Sequence, residues 1–221
     1  MNKILATRID QLARDIPGAT AVFSEFGLEL FCGGEHSLMA IADEQGLDGK
    51  IIAKQLSALK DSGNLNKNWL ERSASDLIEH ILFCYHEQYR QHIPQLIRLA
   101  KRVELDHGNQ PECPLGLAFL LSELEPVLNT HMRKEKEKLF PMLLQEGKEG
   151  IKNSIDAMMS EHKMLGETLF QLNQLTNNIT APINASSTWR ALYVCLNKFH
   201  NELVEQISLE NNILFRKVRI I

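Results

Sequence analysis

From residue 73 onward, apolar side chains recur every three or four positions in four stretches, about 75–106, 114–146, 151–178 and 186–217. That spacing lines one face of an α-helix and fits no face of a strand. Each stretch holds roughly 28 to 33 residues, which is about 42 to 50 Å of helix. Between them lie His107-Gly108, Gly147, and Asn177-Asn178 with Pro182, all helix-breaking signals. Four long helices joined by short connections bury their stripes best as an antiparallel four-helix bundle. Pro94, Pro126 and Pro141 fall inside the helical pattern and predict kinks or local irregularity there.

The first 60 residues carry shorter signals. An amphipathic segment covers 4–16, and a second follows Pro17-Gly18 through Ala21, Val22 and Phe26 to a stop at Gly27. Phe31-Cys32-Gly33-Gly34 reads as a loop, Ser37 as the N-cap of a helix over 38–45, and 49–60 as one more short helix. The expected organisation is all-α: a small helical N-terminal domain over 1–60 with a Cys-Gly-Gly loop, a polar linker over 61–72, and the bundle over 73–221. So small a core needs support. The N-terminal domain is therefore expected to dock on the bundle or on a second subunit, which leaves a homodimer open.

Composition excludes several partners. Lys and Arg number 24 against 28 Asp and Glu, a net charge of −4, so the chain offers no electrostatic grip on nucleic acid or anionic lipid. No apolar run approaches the ~20 residues of a membrane span. The first ten residues lack the apolar core of a secretory signal. Cysteines at 32, 84, 113 and 195 form no C-x-x-C pair, which argues against a disulfide framework and for a cytoplasmic location.

The eight histidines separate when each is tested for apolar neighbours three, four and seven residues away. His86 lies between Leu82, Phe83 and Tyr89, Ile93. His131 follows Leu124, Val127 and Leu128, and Glu135 stands one turn ahead of it. His162 lies between Ile155, Met158, Met159 and Leu165, Leu169. In the fourth stretch the matching slot is Gln206, with Phe199 and Leu203 behind it and Glu210 one turn ahead. Every long helix thus carries a ligand-type residue in its core stripe, and two carry the spacing [His/Gln]-x-x-x-Glu, which places both side chains on one face. Two buried carboxylates need positive charge between them, and no Lys or Arg lies on these stripes. A pair of metal ions supplies it, with Glu135 and Glu210 bridging and the histidines as terminal ligands. Mixed imidazole and carboxylate donors suit iron or manganese, and zinc less often. A single histidine on an apolar face is more often a core residue, but three of them with two glutamates at matching depth are not explained that way. His36 reads as a loop residue, His80 and His92 lie off the stripe, His107 ends a helix, and His200 reads as core packing.

Several motifs occur here in a characteristic order: Tyr85-His86, then His131-x-x-x-Glu135 with Leu139-Phe140-Pro141, then Ser160-Glu161-His162, then Ile207-Ser208-Leu209-Glu210-Asn211-Asn212. Ile16-Pro17 and Cys32-Gly33-Gly34 precede them. On these motifs the sequence resembles the Repair-of-Iron-Centres proteins of the ScdA/YtfE type, over essentially the whole chain. The resemblance implies a hemerythrin-like bundle holding two iron ions in a non-haem, carboxylate-bridged centre, behind a ScdA-type N-terminal domain. It implies a bacterial cytoplasmic stress protein that helps restore iron–sulfur clusters damaged by nitric oxide or peroxide. Iron–sulfur client proteins and the gases nitric oxide and oxygen are the implied partners, and both iron donation and nitric-oxide chemistry are compatible modes. The implied iron ligands are His86, His131, Glu135, His162 and Glu210, with the two glutamates bridging. The alternative is a hemerythrin-like oxygen- or nitric-oxide-binding protein without turnover, for which the Cys-Gly-Gly domain has no evident use. A ferritin-type oxidase is disfavoured, because such sites use Glu-x-x-His pairs.

Two residues depart from that family. Gln206 stands where the family has histidine, and an amide oxygen is a weaker, neutral ligand. Phe31 replaces the first of two adjacent cysteines, leaving Cys32 as a lone candidate redox or iron-transfer thiol.

Overall fold

Ser73 and Ser186 set where the first and last long helices begin. The Ser73 hydroxyl accepts from the Asp76 amide at 3.1 Å while the Asp76 carboxylate accepts from the Ser73 amide, a reciprocal capping box. The Ser186 hydroxyl accepts from the Trp189 amide at 3.3 Å and lies 2.9 Å from His107 Nε2 at the end of the first long helix. One serine thus starts one helix and ties it to another.

The structure, a computed structural model, describes residues 2–16, 19–28, 36–61, 69–145 and 149–219. Among the described residues five short helices come first: α1 (Asn2–Ala6), α2 (Ile9–Asp15), α3 (Ala19–Glu25), α4 (Leu38–Glu44) and α5 (Gly49–Asp61). Four long helices follow. The first, α6, runs as Ala74–Ile81, a π-helical turn Leu82–His86, and Glu87–His107. Helix α7 runs as Leu117–Lys134, a π-helical turn Glu135–Leu139, and Phe140–Leu143. Helix α8 is Ile151–Leu175, and α9 runs as Ser187–Leu209, a π-helical turn Glu210–Leu214, and Phe215–Arg219. Among the described residues there is no strand, only an isolated bridge between Arg8 and Ser37.

The long helices form a closed ring of neighbours, α6 against α7 and α9, and α8 against α7 and α9. Their shared core includes Leu77, Ile81, Leu121, Leu128, Leu169 and Leu196, all buried. Helix α6 stops at His107, and Gly108 is where only a glycine fits: a Cβ there would meet the Glu104 carbonyl oxygen at 2.7 Å. Helix α8 stops at Leu175, and Asn177 and Asn178 take the left-handed backbone (φ 49° and 53°) that asparagine tolerates.

Two local expectations give way to the structure. The segment over 4–16 is two helices, because Arg8 is extended and its neighbours pair with the chain before α4: Ile9 N–H donates to the His36 carbonyl at 3.1 Å and Leu38 N–H to the Thr7 carbonyl at 3.0 Å. Long-range pairing overrides helix propensity here. Pro94 and Pro126 lie inside continuous helices, and Pro141 lies two residues past a π-helical turn. The apolar stripes are also narrower than expected, since Phe83, Val127 and Met159 face solvent.

A second apolar cluster, built from Ile9, Leu12, Phe23, Leu38, Ile52, Leu56 and their neighbours, lies within α2 to α5. Helices α2 and α3 rest against α9. Asp10 links the two parts: Arg8 binds it through two contacts of 2.9 Å, and Arg216 of α9 donates to it at 2.7 Å. The Cys-Gly-Gly loop, including Cys32, and residues 62–68 of the expected linker lie outside the described residues.

Candidate metal centre

Each π-helical turn carries one residue of the centre. His86 closes the turn in α6, Glu135 opens the turn in α7, and Glu210 opens the turn in α9. A π-turn widens the helix and shifts the register of the side chains that follow it; such turns recur at functional sites. Helix α8 has no such turn and supplies His162.

His86, His131, Glu135, His162, Gln206 and Glu210 are brought together, and none is more than 3% exposed. On one side, His131 Nε2 and His162 Nε2 are 3.2 Å apart. Glu135 Oε1 lies 3.3 Å from His131 Nε2, and Glu210 Oε2 lies 3.1 Å from His162 Nε2. These four residues each offer a donor atom within 4.8 Å of the others. On the other side, Glu135 Oε2 lies 3.2 Å from His86 Nε2. Gln206 Nε2 lies 3.2 Å from His86 Nε2 and donates to Glu210 Oε1 at 2.9 Å. Each carboxylate therefore turns one oxygen toward the His131–His162 pair and the other toward His86 and Gln206.

Several polar atoms of this centre are close to one another without a hydrogen-bond partner. Both oxygens of Glu135, Glu210 Oε2, Gln206 Oε1 and His86 Nδ1 are buried with no hydrogen-bond partner. Unpaired buried carboxylate oxygens are costly, and a cation between them would offset that cost. Donors held about 2.0 to 2.2 Å from one ion stand about 3 Å from each other, which is the spacing seen here. The residues fit a pair of cations shared by two carboxylates.

The outward nitrogens of two imidazoles are held. His131 Nδ1 lies 3.0 Å from Glu161 Oε2, and Lys134 Nζ holds the other Glu161 oxygen at 2.6 Å. His162 Nδ1 lies 2.8 Å from Asn211 Oδ1. An acceptor at Nδ1 fixes the proton there and leaves the Nε2 lone pair facing inward. His86 has no such partner. Aromatic rings wall the centre: Phe140 stacks 6.1 Å from His86, and Phe215 stacks 6.0 Å from His162. Glu161 and Asn211 stand inside the sequence motifs, each one residue from a candidate ligand, and that adjacency is the only mark of their role in the sequence.

Electrostatics match a cluster that holds a positive charge. Burial pulls the His162 imidazole down, but contact with Glu135 and Glu210 more than offsets it and raises the group to about 10. His131 is raised as well, burial being outweighed by Glu135. Glu135 stays well below the usual carboxylate range despite burial, because His131, His162 and His86 face it. Glu210 is raised by burial and by the Glu135 charge. His162 and Glu210 thus both favour the proton of their contact. We place it on His162, whose Nε2 faces two carboxylates, with Glu135 Oε1 3.7 Å away.

Three further histidines lie outside the centre: the His80 ring lies 4.5 Å from that of Trp69, His107 binds Ser186, and His200 is buried beside Asn173 Nδ2 at 3.2 Å and held neutral by burial.

Comparison with known proteins agrees with this geometry. The hemerythrin HHE cation binding domain matches residues 77–218, and a domain of unknown function, DUF542, matches residues 5–60. The chain is 41% identical over 207 residues to the iron-sulfur cluster repair protein YtfE of Cronobacter sakazakii, covering 94% of this chain and 93% of that one. It is 39% identical to the protein of the same name from Dickeya chrysanthemi, over 94% of each chain. The corresponding figures for Yersinia pseudotuberculosis are 40% and 92% of each chain.

Proposed function

The chain belongs to the hemerythrin HHE cation-binding family and to the YtfE iron-sulfur cluster repair proteins, and from that premise we propose that it repairs iron–sulfur clusters damaged by nitrosative or oxidative stress. Its centre would hold two iron ions, one by His131 and His162 and the other by His86 and Gln206, with Glu135 and Glu210 available to both. The observation that carries this reading is the division of each carboxylate, one oxygen toward each imidazole group.

When bound, the iron supplies both the cargo for cluster rebuilding and affinity for nitric oxide or oxygen. The chain's own residues do the rest. Glu161 and Asn211 orient His131 and His162 from outside, so an ion there would be held more firmly. The His86 side has a neutral amide and an imidazole without an outer partner, so an ion there would be held more weakly. Leu139, Phe140 and Phe215 exclude bulk water around the ligands. Clients are iron–sulfur proteins in the cytoplasm, and Cys32 is a candidate transfer thiol. The N-terminal domain over 1–60 and the bundle over 73–221 act as two units of one chain, and pairing of two chains is a further part of this reading.

The relatives' names favour repair over a carrier without turnover. The test is anaerobic loading with ferrous iron, metal analysis, and incubation with a nitric-oxide-treated iron–sulfur enzyme. Close to two irons per chain and recovery of the enzyme's clusters are expected. A chain that takes up neither iron, manganese nor zinc would overturn the reading.

A further inference from the structure

The face shared by α6 and α9 continues outward from His86 and Gln206 with groups that the centre does not use. Tyr85, His86 and Tyr89 lie within one turn of α6, and Glu202, Glu205 and Gln206 within one turn of α9. Burial first, and then the Glu205 carboxylate, push the Tyr85 phenol upward, and Glu205 is itself half-buried. Glu202 divides between two environments: Oε1 lies 3.7 Å from Lys198 Nζ at the surface, whereas Oε2 is buried with no partner. Tyr89 is 0% exposed, and its hydroxyl also has no partner. The Tyr89 ring is fixed edge-on to Phe199 at 5.4 Å, and 6.3 Å from Tyr85. Burial first, and then the charges of Tyr85, Glu202, Glu210 and Glu205, push its phenol upward, so the hydroxyl sits in the common field of those carboxylates.

A buried hydroxyl and a buried carboxylate oxygen, both unpaired, are expensive in a helical core that could have held Phe and Leu. Carboxylate and phenol oxygens brought to one helix–helix face attract a hard cation, and the two carboxylates repel an anion. We propose that Glu202, Glu205, Tyr85 and Tyr89 form the port through which a divalent cation passes between solvent and the His86–Gln206 side of the centre. The proposal rests on the reading that this side holds exchangeable ferrous iron, and it adds the route. Glu202 collects the ion beside Lys198, Glu205 and the two hydroxyls replace its water in turn, and Glu210 receives it. No bond other than metal–oxygen contact is made or broken, and the ion stays ferrous throughout.

The port and a purely static field predict opposite signs. If Glu202 and Glu205 only add negative potential, neutralising them weakens the hold on the ion and speeds its loss. If they are stepping stones, neutralising them slows both loss and loading. The experiment follows ferrous loading, and release to ferrozine, by anaerobic stopped flow in the full chain. It compares wild type, Glu202→Gln with Glu205→Gln, Tyr89→Phe, and Glu167→Gln on the exposed face of α8 as a charge control. The port predicts that loading and the faster release phase both slow by about tenfold in the first two variants. Equilibrium iron content and helicity stay unchanged, and the control behaves as wild type. Tyr89→Phe removes an unpartnered hydroxyl, so it keeps the fold and carries the test if the double variant does not. Faster release or unchanged rates with normal loading overturns the port alone. A wild-type chain that takes up no iron overturns the repair reading with it.

Discussion

At the scale of single residues, Gln206 separates this chain from its family's pattern. Its amide lies 3.2 Å from His86 Nε2 and donates to Glu210 at 2.9 Å, so it occupies the place of a ligand while offering a weak one. Of the three imidazoles, His86 is the one whose outer nitrogen has no partner, which weakens the same side again. Ferrous protein mixed with chelator is therefore expected to lose iron in two phases. Gln206→His should slow the faster phase toward the slower one and raise iron occupancy. Identical single-phase loss in both proteins would show that residue 206 takes no part. A pH effect belongs to the same scale. In the metal-free chain His162 is raised from its ordinary 6.5 to about 10, so the stability it contributes is full below 6.5 and is lost as pH rises through 10. Glu135 is lowered, so its contribution is present above the usual carboxylate value and is lost as pH falls below it. Metal-free protein should thus be most thermostable between about pH 5 and 6.5. An ion must displace the His162 proton, so loading at pH 7 should release about one proton per chain, and affinity should rise with pH. Indicator dye in weakly buffered solution reads this directly; zero release would place the proton elsewhere. The candidate ligands were legible because polar residues in apolar stripes stand out. Glu161 and Asn211 were less so, since a polar residue beside a ligand looks like any solvated position until its partner is known.

At the scale of elements, the four long helices were readable from period alone, and their starts from Ser73 and Ser186. The π-helical turns were not, because the i→i+5 pairing at Glu135–Leu139 or Glu210–Leu214 leaves no mark in residue type. Pro141, which lacks an N–H to give, is the one local hint. The break at Thr7–Arg8 was equally silent, since it depends on backbone pairing with His36 and Leu38 far along the chain. A cap gives an element-scale prediction. Ser186 satisfies the first turn of α9 and meets His107 of α6, and both lie at least 20 sequence positions from every candidate ligand of the centre. Ser186→Ala should cost about 1 to 2 kcal/mol of stability by chemical denaturation. Iron content should be unaffected, because α9 is anchored near the centre by its own buried face. A loss of iron in step with stability would mean that the two ends of the bundle are coupled.

At the scale of the whole molecule, the question is how a unit as small as α1 to α5 stays folded. Its buried cluster draws on few large side chains, Phe23 and the leucines and isoleucines around it, and cores of that size are marginal alone. Helices α2 and α3 lean on α9, and the Arg216–Asp10 contact at 2.7 Å, with Arg8 on the same carboxylate, crosses the join. Asp10 is largely buried and Arg216 partly exposed, so that ion pair adds about 1 kcal/mol at most; apolar contact carries the remainder. The bundle needs no such help, with a core running from Leu77 to Phe215. Expressed separately, residues 69–221 should keep their helicity and take up iron. Residues 1–60 should show little cooperative unfolding until the bundle is added back. In the full chain, protease should cut first in the polar stretch over 61–68, whose Ser, Gly and Asn residues mark it as connection. Arg216→Ala should hasten digestion of the N-terminal piece after that cut without changing iron content. First cuts inside α6 to α9 would mean that the boundary drawn from composition is misplaced. An isolated N-terminal piece melting cooperatively would mean that its core suffices unaided, and that docking on α9 serves to position the unit beside the centre instead of holding it folded.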